Sequence, residues 1–145
     1  MKLWGLTIAV MLLALGLGFA HPVSADEVVA CLSYQGRAMI NGMLVSETFP
    51  GPPEYESIDR GDTPEIFMLV KLAQPLCVDA DPNDDSGLNP AVPQVDEVQL
   101  ALTAEEYNQY HPLIGKSVRV SGKLLGRLSE ADHTPVVLHD VTFGE

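Results

Sequence analysis

Two short stretches constrain this chain most. Ile40-Asn41-Gly42-Met43-Leu44 and Val120-Ser121-Gly122-Lys123-Leu124 each read as a β-strand with a glycine at its centre. Glycine weakens a strand interior, so its presence there marks a bulge or a sharp coil. In the second stretch Val118, Val120 and Leu124 fall in phase with Gly122, and Ser117, Arg119, Ser121 and Lys123 oppose them. A gap on the buried face is what a strand needs where it bends across a small barrel.

The other elements follow from period and punctuation. Glu65 to Leu72 places Ile66, Met68, Val70 and Leu72 on one face, with Phe67 and Leu69 adding apolar mass to the other. That pattern suits a strand covered on both sides for part of its length. Val98, Leu100 and Leu102 alternate with Glu97 and Gln99 in a third strand, Val95 to Leu102. Thr103-Ala104-Glu105-Glu106 carries a capping box, in which Thr103 and Glu106 satisfy each other's backbone N–H. The helix that follows is about two turns long and is expected to end at Pro112. A last strand places Val137, His139, Val141 and Phe143 on one face and Val136 and Leu138 on the other. The order strand, strand, strand, short helix, strand, strand is that of an OB-like fold: mainly β, a small five-stranded barrel with one helix between strands 3 and 4. Another small antiparallel barrel or sandwich is the alternative.

The N-terminus assigns a compartment. Lys2, an apolar run from Leu3 to Phe19 and the small residues Val23-Ser24-Ala25 describe a secretory signal peptide, 1–25, cleaved after Ala25. An uncleaved anchor is one alternative. A lipoprotein is another, on Val28-Val29-Ala30-Cys31, but Pro22 and the pair Asp26-Glu27 separate that cysteine from the apolar run. The reading is a periplasmic or secreted protein with no stable membrane insertion after cleavage, and a single domain over 26–145. In such a compartment Cys31 and Cys77, the two cysteines, are expected to pair. Closing a loop of that length stabilises by about 4 kcal/mol in the chain-entropy model.

Charge excludes one class of partner. The full chain carries −12; without Lys2, seven Lys and Arg face 20 Asp and Glu, a net of −13. Such a body repels phosphate backbones, so nucleic-acid binding is not expected despite the OB-like plan. Acidity of this kind serves solubility first; the partner it would favour is cationic.

The segment Gly115 to Val141 has the pattern Gly-x-x-Val-x-Val-x-Gly-x-Leu followed by His133-Thr134-Pro135-Val136-x-Leu138. With Phe49-Pro50-Gly51-Pro52-Pro53-Glu54-Tyr55-Glu56-Ser57-Ile58, Gly61-Asp62 and the two cysteines, it resembles a family of small exported bacterial proteins known only as a domain of unknown function. That family sometimes stands beside lysozyme-inhibitor-like domains, so the resemblance implies an envelope role without naming an activity. One position departs from it: the family often has a second histidine before His-Thr-Pro-Val, and here that residue is Asp132.

Candidate site residues come from the barrel plan. An OB-fold binds ligands between the loops joining strands 1 to 2 and 4 to 5. Those are the Pro/Gly loop, Glu47 to Pro64, and the segment Gly126 to Thr134. Tyr55, Glu56, Arg60 and Asp62 from the first and His133 from the second are the ligand-binding candidates; the competing reading has Tyr55 and Pro52 plugging one barrel end and Asp62 bonding turn amides. His133 is expected to be the more exposed of two histidines, and His139, among valines, to be a hydrogen-bonded core histidine. Asp79 to Gln94 is expected to be a mobile surface loop. Its acids, Asp79 to Asp85, have oxygen ligands at alternate positions, but the EF-hand glycine and glutamate positions hold Asp84 and Pro90. No catalytic residue, metal ligand or cofactor is assigned. The expected function is a monomeric, non-catalytic binding module for a protein or cell-envelope ligand, with a lysozyme-inhibitor-like role as its specific form; the alternative is a calcium- or zinc-binding envelope protein.

Overall fold

The computed structural model describes residues 30–144, so the signal-peptide assignment lies outside the described residues. Five strands close a barrel in the order β1-β2-β3-β5-β4, β4 returning to β1. They are β1 (Ala38–Pro50), β2 (Pro64–Val78), β3 (Val92–Leu100), β4 (Ser117–Gly126) and β5 (Val136–Phe143), with α1 (Ala104–Tyr110) between β3 and β4. All neighbours are antiparallel except β3 and β5. This is the five-stranded barrel with one short helix that the sequence pattern predicts.

Closure rests on β1, which serves two partners. It pairs with β2 from Pro50↔Pro64 to Met43↔Lys71 and with β4 from Met43↔Ser117 to Ala38↔Gly122. At the change-over the chain must coil tightly, and a Cβ at Gly42 would run into the Lys71 carbonyl oxygen and stand only 2.7 Å from Val70 Cγ1. Any side chain there would overlap the backbone of β2. Gly122 is the same device on β4, pressed against the His139 carbonyl. The interior is filled by apolar residues of all five strands, among them Ile40, Leu44, Val70, Val98, Leu124 and Leu138.

The last strand departs from its expected phase. Ser121 pairs with Thr142 and Lys123 with His139, so a two-residue step on β4 faces a three-residue step on β5. The extra residue is Asp140, at φ 50°, a left-handed position. Arg37 holds the bulge: its Nη2 donates to the carbonyls of Asp140 (2.9 Å) and Ser121 (3.0 Å) and to Thr142 Oγ1 (3.1 Å). The bulge shifts the phase by one, so Val136 and Leu138 share the core with Val141. Val137 is buried outside that core, and His139 is only half-buried and takes no part in it.

Two boundaries and one loop also differ from expectation. β2 continues past Leu72 through Pro75 to Val78, with register shifts between Lys71 and Leu76 and again before Val78. Proline is accommodated at such irregularities. Pro112 does not stop the helix outright; His111–Leu113 continues as a 3-10 turn with the proline in its first turn. The capping box at Thr103 and Glu106 forms as read. The 79–94 segment is tied down: Asn89 Oδ1 accepts from Gly126 N (2.9 Å), and the Tyr34 hydroxyl donates to the Pro90 carbonyl (2.9 Å).

Cys31 and Cys77 form the disulfide. It sits beside a short bridge in which Leu32 N donates to Cys77 O and Asp79 N to Leu32 O, both 2.8 Å. The N-terminal arm is thereby fixed to the end of β2. Among the described residues no helix is long and apolar enough to cross a membrane.

Gly42→Ala should lower the unfolding free energy by about 1–3 kcal/mol, because β1 and β2 must part to admit a methyl group. Urea denaturation followed by circular dichroism reads it, and an unchanged midpoint would contradict the close approach.

Candidate functional site

The Pro/Gly loop, residues 51–63, is ordered from within. Asp62 is buried, and its carboxylate accepts three backbone N–H groups: Glu54 at 3.0 Å, Glu56 at 2.7 Å and Ser57 at 2.7 Å. Those bonds, from Ser57 and Glu54 first, hold its pKa below the usual carboxylate value. Gly51 N to Thr63 O (2.7 Å) and Thr63 N to Pro52 O (2.9 Å) close the loop base. Tyr55 is half-buried at φ 59°. Glu56 and Arg60 form an ion pair (2.9 Å) with both side chains more than half exposed, a geometry that contributes little to stability. Asp62 therefore bonds turn amides, as the competing reading of the sequence has it.

His133 stands apart from these four. Its ring stacks on Phe49, centroids 4.0 Å apart and planes 4° from parallel, and lies 5.3 Å from Phe67. No hydrogen bond, ion pair or ring contact joins it to Tyr55, Glu56, Arg60 or Asp62 among the described residues. The ring of His133, expected to be the more exposed of two histidines, is packed, and its Nε2 is buried without a hydrogen-bond partner among the described residues. Burial, then the positive charge of Arg127, push its pKa below the ordinary histidine value; Glu65 and Asp132 oppose the shift. The neutral imidazole is the form this packing favours.

One glutamine positions that histidine. Gln99 lies on the outer face of β3, where its Oε1 accepts from His133 N (2.8 Å) and its Nε2 donates to Ala131 O (3.0 Å). Its backbone N–H reaches Thr134 Oγ1 (3.0 Å), which in turn donates to Val136 O (2.6 Å). Asp132 braces the turn by accepting from Leu128 N and Ser129 N, both 2.9 Å. The segment 127–135 thus folds back across the barrel. Leu69, Gln99 and Val137, side by side on β2, β3 and β5, are buried although they lie outside the main core. In the OB plan the outer β2–β3 face is where ligands lie. Here much of it is occupied by the protein's own loop.

What stays open is the rim beyond Phe67. Two adjoining clefts, about 320 and 350 Å³, share Phe67, Leu100, Leu102 and Thr103. One continues along Ile66, Met68 and Tyr107, the other past Gln99, Ala131 and Asp132. The β2–β3 ladder stops at Leu69↔Gln99, whereas the β1–β2 ladder runs on to Pro50↔Pro64. Ile66, Phe67 and Met68 therefore have a strand partner on one side only, and Ile66 is 56% exposed. Sequence reading missed Ile66, Phe67, Gln99 and Tyr107. The available signal was Phe67 and Leu69 in the outward phase of β2, which announces a cover without saying what supplies it.

The acidic run is also engaged locally. Asp81 Oδ1 accepts from Asn83 N (3.0 Å), and Asp84 accepts from Ser86 N (2.9 Å) and Asn89 N (2.6 Å). Among the described residues no three His, Cys, Asp or Glu side chains converge as metal ligands.

The His133 packing predicts a pH dependence. A folded-state pKa below the unfolded value means that protons bind preferentially to the unfolded chain, so stability is full above about pH 6.5 and falls as pH drops through the folded pKa. The carboxylates with lowered values, Asp62, Asp84 and Glu106, act at lower pH. Urea midpoints at pH 7.5 and pH 5 should differ more for the wild type than for His133→Gln; an equal drop in both proteins refutes the assignment to His133.

A family described as "Domain of unknown function (DUF4431)" matches residues 97–143, from the end of β3 through α1 and β4 to β5. The match covers about a third of the chain and includes Gln99, Leu102, Tyr107 and His133. No curated protein matches the sequence. Over this stretch the chain is similar to a family of domains of unknown function.

Proposed function

We propose that this protein is an exported, non-catalytic binding module whose ligand is an extended protein segment seated on the open edge of β2 beside Phe67. The half-paired edge at Ile66–Met68 carries the reading. An unpaired strand edge offers backbone donors and acceptors to a passing chain, and neighbouring clefts take its alternate side chains. Leu102 and Tyr107 supply the apolar wall opposite, with α1 held in place by its capping box.

The Pro/Gly loop contributes by shaping rather than by contact. Asp62 fixes the loop that follows Phe49, and Phe49 packs on His133, the neighbour of the Ala131 and Asp132 that line one cleft. Export is the companion proposal, supported by the N-terminal sequence and compatible with the Cys31–Cys77 disulfide. The acidic surface would favour a basic partner at long range. A basic cell-wall hydrolase such as lysozyme is the specific form of this reading.

Ile66→Asp places a charge in the cleft at an exposed position, so the fold should survive it. Capture of partners from a cell-envelope extract should be lost with that variant and retained with the exposed-loop control Asp59→Asn. Capture undiminished by Ile66→Asp would sink the edge-binding reading. Lysozyme activity unaffected by micromolar protein removes the hydrolase-inhibitor form alone.

A further inference from the structure

A third cleft, about 510 Å³, opens away from the Phe67 rim, where β1 parts from β2. Pairing of those strands ends at Met43↔Lys71, and β1 continues along β4. Gly42 presents no side chain to the opening, which is lined by Leu113, Val118 and Phe143 on its apolar side and by Asn41, Ser117 and Arg119 on its polar side. The apolar three are half-buried, and Phe143 is fixed by stacking on Tyr110, centroids 3.9 Å apart. The volume falls in the range of small-ligand sites.

Arg119 is held in place at the edge of this cleft. Its Nε donates to Asn41 Oδ1 (3.1 Å), and its carbonyl accepts from Gly144 N (2.8 Å). The terminal guanidinium nitrogens make no hydrogen bond or ion pair among the described residues. The same holds for ion pairs of its neighbours. Arg60, Lys71 and Arg127 each have a carboxylate partner, while Arg37, Lys116, Arg119 and Lys123 have none among the described residues. Those four lie on β4, next to it, or hydrogen-bonded to it. Among the described residues β4 and its margin thus carry four cations with no carboxylate paired to them. With a screening length of about 8 Å at physiological salt, a ligand at that face senses these cations more than the acidic remainder. Met39 and Met43, 58% and 49% exposed, extend the face with adaptable apolar surface.

We propose that this cleft binds a small amphiphile with an oxyanion head, phosphate or carboxylate, and a short apolar body. The head meets the Arg119 guanidinium, whose planar fork suits an oxyanion, with Ser117 and Asn41 beside it. The body lies along Leu113, Val118 and Phe143, where each methylene removed from water adds to affinity. The proposal is independent of the β2-edge reading, because the two places share no lining residue.

Calorimetry on the full chain tests it, with dihexanoyl phosphatidylglycerol below its micelle concentration and with octanoate as the carboxylate probe. Saturable binding of either supports the proposal and tells the two heads apart. Binding should weaken with added salt and fall by about tenfold or more in Arg119→Gln, an exposed position that the fold tolerates. Lys123→Gln, outside the cleft, should change it far less. The proposal is overturned if neither probe binds, if dihexanoyl phosphatidylcholine or inorganic phosphate binds as well as the anionic amphiphile, or if Arg119→Gln leaves binding unchanged.

Discussion

The whole barrel depends on β1 holding two neighbours at once. Met43 pairs with Lys71 on one side and Ser117 on the other, and the backbone turns between them at Gly42. A barrel of five strands has too small a circumference for a gently twisted sheet to close, so the bend must be concentrated at a few residues. Gly42 and Gly122 take it on β1 and β4. On β5 the bend falls on Asp140, and Arg37 supplies with one nitrogen the hydrogen bonds that keep this left-handed residue in place. Strain at one corner is offset by a side chain that starts near the opposite end of the sequence.

That arrangement explains what could be read from the sequence. Gly42 and Gly122 were legible because glycine inside a strand pattern has few other uses. The capping box was legible because Thr103 and Glu106 act within one turn. The bulge was not, because aspartate tolerates a left-handed position without marking one as glycine does, and its support comes from Arg37, more than a hundred residues away. The misplaced face of β5 follows directly: a strict alternation carried through Asp140 puts Val137 with Val141, whereas the extra residue puts Val136 and Leu138 there instead.

The two loops from which the site residues were drawn were legible as segments, and their internal packing was not. Asp62 organises the first of them, as a turn-bonding reading of the sequence has it, but the residue that organises the second is Gln99. A glutamine alternating with apolar strand residues reads as a solvent-facing position. It is buried here because residues 127–135 return to bond it, a tertiary choice that no local period encodes. His133 was misjudged for the same reason. The Phe49 and Phe67 rings, distant in sequence, offer a flat apolar bed that a neutral imidazole can share.

The consequence is a barrel whose two kinds of exposed surface have different origins. Around Phe67 the opening exists because β3 leaves β2 early to join β5, so the cost falls on backbone pairing and the vacancy suits another backbone. Around Arg119 the opening exists because β1 leaves β2 to join β4, beneath a strand whose outward positions carry cations. Backbone groups impose direction and spacing on a partner but little charge preference; the guanidinium and ammonium groups select first for sign. A barrel with one core can present both because each strand exchange that closes it leaves a gap at its rim, and the residues nearest each gap determine what it can hold.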